Sequence, residues 1–201
     1  MKSLFSICFF FLFSTLVFSQ KNNSSKHLTI KFDVYQLVLN TNYGSIEFKV
    51  DKHQSIQLSP FYIDNRQAFL NWSSQAIQEH YSGWGANLEW RFYNKKKRVL
   101  NGGYLGPYLK FELVDVTRDD PYGGTKELGS TLTSDRTKLS LGLMFGGQRM
   151  NKLLGLCINY YCGIGLSNEE EDNFKGLMSN YDNERISPLE VRLGLSLGLG
   201  I

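Results

Sequence analysis

The chain has 201 residues, 42% of them hydrophobic and 20% charged, with a formal net charge of +3. That length suits one domain behind an export segment, and so slight a charge gives no basis for a nucleic-acid partner. The three cysteines include no Cys-x-x-Cys pair, which excludes a disulfide framework or a zinc site of the usual spacing.

Lys2 precedes an apolar run, Leu4 to Val17, which ends at Phe18-Ser19-Gln20. Residues 1–19 therefore read as a signal peptide cleaved after Ser19. Cys8 lies inside the run rather than at its end, so a lipoprotein reading fails. Residues 20–26 are polar and are expected to be a flexible lead-in. No later stretch is long and apolar enough for a spanning helix.

From His27 to Ile201 the chain alternates apolar and polar residues in eight stretches. The first sets Leu28, Ile30, Phe32 and Val34 against Thr29, Lys31 and Asp33. Its successors are centred on Ile46–Val50, Ile56–Tyr62, Trp84–Phe92, Leu105–Leu113, Leu139–Phe145 and Leu154–Leu166. The last, Leu189 to Ile201, is aliphatic at every odd position and charged or small at every even one. Successive side chains on a strand point to opposite faces, so each stretch predicts a strand with one apolar face. Short connections follow the second, fourth and sixth strands: Asp51–His53, a turn from Asn94 through Lys95–Arg98, and Gly147–Lys152. The other connections are Tyr35–Asn42, Asp64–Ser82, Val116–Asp135 and Ser167–Ser187. An even strand count with short turns at one end and longer loops at the other predicts an all-β fold. It is an eight-stranded antiparallel up-and-down transmembrane β-barrel of outer-membrane type over residues 27–201, with both termini in the periplasm.

A soluble barrel would also alternate, with its apolar face inward. Size and charge decide against it. An eight-stranded barrel has an interior just wide enough for its own side chains, and the apolar set is the bulky one. That set also carries no charged residue, as a lipid face requires. The lumen then receives Lys31, Lys49, Arg91, Lys110, Lys138 and Arg192 against Asp33, Glu47, Glu89, Glu112 and Glu190. Buried charges are tolerated when paired, so an ion-pair network that fills the barrel is expected, with glycines giving the charges room. A narrow wet passage is the alternative.

Tyr81–Gly85 leading to Glu89–Tyr93, the stretch Tyr104–Lys110, and the opening strand, loop and Gly44–Val50 carry a resemblance to small, functionally uncharacterised outer-membrane β-barrel proteins of Gram-negative bacteria. The resemblance covers most of the mature chain and brings no catalytic residues. The last strand also resembles the signal read by the barrel-assembly machinery: Arg192, Gly194, Leu197 and Leu199 fit it, although the chain ends at Ile201 rather than an aromatic.

His80-Tyr81-Ser82 is similar to the His-x-Ser arrangement of outer-membrane lipid A deacylases, in which a histidine deprotonates a serine nucleophile. Here Gly83 follows the serine where that family has Asn, and no acid of matching parity follows nearby. No catalytic role is therefore assigned to His80 or Ser82. Acidic residues cluster in two long loops: Asp119, Asp120 and Glu127, then Glu169–Asp172, Asp182 and Glu184. They lack calcium-loop spacing, so no metal and no cofactor is expected. Gly102-Gly103 and Gly146-Gly147 lack the Lys-Ser/Thr and helix of a phosphate cradle. The expected role is non-enzymatic, an envelope structural or surface-interaction protein. Its expected partners are outer-membrane lipid, lipopolysaccharide, the assembly machinery during biogenesis and an unidentified surface ligand. The alternatives are a narrow-pore small-solute channel and a lipid-modifying enzyme.

Overall fold

A computed structural model describes residues 27–70, 76–94, 99–119, 131–151, 154–171 and 188–201. The segments read as signal peptide, lead-in and lysine turn (Lys95–Arg98) lie outside these residues, as do Asp120, Glu127, Asp172, Asp182 and Glu184. Eight strands close into an antiparallel barrel in sequence order: β1 Leu28–Asp33, β2 Thr41–Lys49, β3 Gln54–Leu70, β4 Ala76–Tyr93, β5 Gly102–Asp119, β6 Thr131–Met150, β7 Leu156–Glu171 and β8 Leu189–Gly200. Closure is made by β1 and β8, where Ile201 N–H donates to Leu28 O at 2.8 Å and His27 N–H donates to Ile201 O at 3.0 Å. Full closure removes sheet edges.

The strands are longer than the alternating stretches. Most of Asp64–Ser82 is strand, with β3 running to Leu70 and β4 starting at Ala76. Likewise β5 reaches Asp119, β6 begins at Thr131, and β7 carries Glu169–Glu171, which the sequence placed in a loop. Polarity hid these extensions, because alternation is visible only where one face is apolar. The turn after β6 is correspondingly shorter than Gly147–Lys152. There Asn151 N–H donates to Leu156 O at 2.8 Å, and Gly155 takes φ 70, a left-handed conformation that glycine adopts without steric cost.

The first connection is not a loop throughout. Asp33 ends β1 and caps a short helix, α1 Val34–Val38, accepting from Gln36 N–H at 3.0 Å. Asn40, at φ 59, turns the chain into β2. Because β1 stops at Asp33, β8 above Ser196 has no β1 partner. α1 packs there instead, and Gln36 Nε2 donates to Leu193 O at 3.1 Å.

Outside, Leu105, Leu109, Phe111 and Leu113 on β5, Leu139–Phe145 on β6, Leu156–Leu166 on β7 and Leu189–Leu197 on β8 present exposed apolar side chains on alternate positions. Leu199 departs from this pattern: it is outward by parity yet buried. Inside, the glycines accommodate aromatic rings more than charges. A Cβ at Gly85 would collide with Phe61, at Gly146 with Tyr104, at Gly142 and Gly165 with Tyr108, and at Gly194 with Tyr161. Among the described glycines, only Gly198 makes room for a charged residue, the stem of Lys31. The rings thus lie across the barrel wall where neighbouring strands lack side chains.

Candidate functional site

The lumen gathers most of the chain's buried polar groups, in three tiers. Nearest the short turns, Glu47 accepts from Lys31 Nζ at 2.5 Å, Ser55 Oγ at 2.5 Å, Tyr93 Oη at 2.7 Å and Arg91 Nη1 at 3.3 Å. Arg91 also donates to Glu89 at 2.5 and 2.8 Å, and its guanidinium lies 4.3 Å from the Tyr104 ring centroid. Gln148 joins the tier, accepting from Lys31 at 3.0 Å and donating to Leu100 O at 3.2 Å. Beneath it, Val99 and Leu100 fold from the β4–β5 connection into the barrel. They pack with Tyr93, Tyr104 and Met144 in a buried apolar cluster that closes this end.

In the middle tier, Arg192 donates to Asn87 Oδ1 at 2.8 Å and to Tyr43 Oη at 3.3 Å, 4.8 Å from the Tyr108 centroid. Asp33 accepts from Tyr161 Oη at 2.8 Å and Ser196 Oγ at 3.2 Å while capping α1 with its other oxygen. Tyr43 stacks on Phe61 at 4.4 Å. The space enclosed by Asp33, Tyr43, Gln57, Arg192 and Ser196 is about 10 Å³, room for roughly one water.

Toward the long loops, Lys110 bridges Glu112 at 2.9 Å and Glu190 at 3.1 Å, and Lys138 lies 3.6 Å from Glu190 and 4.0 Å from Glu112. Ser140 Oγ donates to Glu190 at 2.5 Å, and Arg136 pairs with Glu169. Lys49 is half-buried at the short-turn mouth. Among the described inward side chains of the three tiers, Lys31, Arg91, Lys110, Arg136, Lys138 and Arg192 face Asp33, Glu47, Glu89, Glu112, Glu169 and Glu190, a neutral set. Within these tiers the charges balance, with Lys49 at the mouth standing outside the set, and Coulomb attraction between close partners offsets the cost of burial.

Several members of this network escape sequence reading. Ser55, Tyr93, Asn159 and Gln148 are uncharged, and only strand register brings them to their polar partners, while Asn87 also donates to Glu89 two residues along its own strand at 2.7 Å. Val99 and Leu100 sit in a turn where nothing but their apolar character hints at burial. Arg136 lies just short of the alternating stretch of β6, and Glu169 lies in a segment assigned to a loop.

Beyond the apolar band on the long-loop side, the outer face becomes polar. His80 Nε2 lies 2.9 Å from Asp64 Oδ1, so an acid absent from the sequence argument arrives from β3. Ser82 pairs across β4 with Asp64 on one side and Asp115 on the other, and Asp115 faces Asp135. Ser82 and His80 share that face, but no hydrogen bond joins them among the described residues. Neither do the described residues hold a cluster of three or more metal-ligating side chains. The cysteines are apart, Cys157 buried in the lumen and Cys162 on the outer wall, both free. In the proposed assembly signal, Arg192 is buried, Gly194 lies under Tyr161, Leu197 is exposed and Leu199 is buried.

The molecule is an all-β, closed, eight-stranded antiparallel barrel of outer-membrane type. No family model and no curated protein matches the chain. The solved structures similar to it include the following two. One is a major outer membrane protein from Thermus thermophilus, at a TM-score of 0.48 and 11% identity over 89% of this chain and 100% of that one. The other is CarO of Acinetobacter baumannii, at a TM-score of 0.43 and 9% identity over 90% of this chain and 100% of that one.

Proposed function

We propose that the chain is a non-enzymatic integral outer-membrane protein whose lumen is filled rather than open. It serves the envelope as a structural or surface-interaction element through its long-loop end. The observation that carries this reading is the inversion of the barrel, charged within and apolar without. Trp84 is 69% exposed, Leu166 65% and Val191 63%, within a band that surrounds the molecule. Water-exposed apolar patches on soluble monomers stay within a few hundred Å², whereas a bilayer favours such a band. The exposed runs Leu105–Leu113, Leu156–Leu166 and Leu189–Leu197 match the roughly 9–11 residues a tilted membrane strand needs. Aromatics mark both borders: Trp90 stacks on Phe92 at 5.5 Å near the short turns, and Tyr62 meets Trp84 at 4.7 Å near the long loops. The polar rim of Asp64, His80, Asp115 and Asp135 then stands at headgroup height, where lipopolysaccharide is the available partner.

Membrane fractionation combined with heat-modifiable gel migration tests the placement. The expected result is protein in the outer-membrane fraction whose mobility changes on boiling. A soluble periplasmic pool with no heat shift would overturn it. The Asp64–His80 pair favours one second reading, a lipid-modifying enzyme at the rim. Lipid A from cells with and without the protein, compared by mass spectrometry, tests it: altered acylation supports the enzyme, and identical profiles remove it.

A further inference from the structure

A groove of about 740 Å³ indents the outer wall near the short turns, across β4 to β7. Its floor is the backbone of Gly103 and Gly146, and its sides are Phe92, Leu105, Phe145 and Tyr160. The register explains the shape. Leu105 pairs with Phe92 on one side and Phe145 on the other, forming a ridge. One row nearer the turns, Gly103 pairs with Gly147, and Gly147 with Tyr160. Tyr160 lies over Gly147 and so walls the groove. At Gly103 a Cβ would meet only Gly146 O, at 3.8 Å, so the wall there is open. Two residues beyond Gly147 on the same face stands the exposed Arg149, and Lys52 is exposed at the same end of the barrel.

The groove is therefore a shallow, open apolar slot on the outer face, with Arg149 on the same face two residues beyond Gly147 at its turn-side end. Arginine pairs well with phosphate, often through two hydrogen bonds. We propose that this slot binds one anionic phospholipid of the periplasm-facing leaflet, an acyl chain lying over Gly103 and the phosphate on Arg149. The proposal rests on the membrane placement argued above.

Native mass spectrometry of the full mature chain, released from detergent after titration with phosphatidylglycerol or phosphatidylcholine of the same acyl chains, tests it. The intact protein is expected to retain one phosphatidylglycerol, bound about tenfold more tightly than phosphatidylcholine, whose phosphate is the same but whose choline cation offsets that charge beside Arg149. Gly103→Leu fills the slot and is expected to lose the retained lipid of either kind. Arg149→Gln, an exposed change, is expected to keep lipid binding but lose the preference. Equal retention of the two lipids by the intact protein, an unchanged adduct in Gly103→Leu, or an unchanged preference in Arg149→Gln would each overturn the site. Heat-modifiable migration, recorded on every variant, separates the two failures. If the intact protein shows no heat shift, the membrane reading fails. If it shifts and the adducts ignore these residues, only the lipid site fails. Should Gly103→Leu not fold, Arg149→Gln decides.

Discussion

Glu47 shows how much one residue holds in this barrel. It sits fully buried on β2 and accepts hydrogen bonds from Lys31, Arg91, Ser55 and Tyr93. Glu47→Gln keeps the shape but leaves two buried cations short of a counter-charge. Breaking a buried ion pair from one side costs about 3–5 kcal/mol, so the urea midpoint, followed by tryptophan fluorescence in lipid, is expected to fall accordingly. An unchanged midpoint would mean that water reaches this tier and screens it. Leu100 makes the complementary case. It is 2% exposed and takes a left-handed φ of 66, unusual for a residue with a side chain, so packing holds it there. Leu100→Ala retains the strained backbone and loses the packing. About 2–5 kcal/mol of stability is expected to go with it, read by the same denaturant titration.

At the scale of the element, period-2 alternation made the strands legible, and it did so only where one face is apolar. Leu189–Ile201 announced β8 almost to the residue, whereas Asp64–Leu70 and Thr131–Ser134 were hidden because neither of their faces is consistently apolar. α1 was hidden for another reason. Val34 continues the alternation of β1, and only the Asp33 cap, a tertiary and local device together, breaks the strand there. Parity alone assigns the charges of the alternating stretches to the inner face, but not Arg136 or Glu169, which lie outside those stretches. The partners of these charges were not legible, because a pair such as Lys110 with Glu190 depends on the shear of the whole barrel. The outward face carries its own test. Leu141, 62% exposed mid-band on β6, lies where the proposed placement puts the bilayer core, and Asp135 on the same strand and face stands at the rim. Leu141→Arg is expected to cost about 2–4 kcal/mol and Asp135→Arg about 0–1 kcal/mol, measured as refolding stability in vesicles. Equal costs at the two positions would contradict the assigned depth.

For the whole molecule, three tiers of side chains from all eight strands cross the lumen. The β4–β5 connection closes its floor with Val99 and Leu100. The small pocket beside Asp33, Tyr43 and Arg192 has room for roughly one water. The cations and carboxylates of the three tiers match in number, so within them the described interior carries no excess charge. The two proposed recognition surfaces therefore lie outside the lumen, at the polar rim above and the apolar groove below. Single-channel recording of the purified protein in planar bilayers tests this sealed lumen most directly. A filled barrel is expected to insert without a stable open state. A large, steady, ohmic conductance from the intact chain would contradict it.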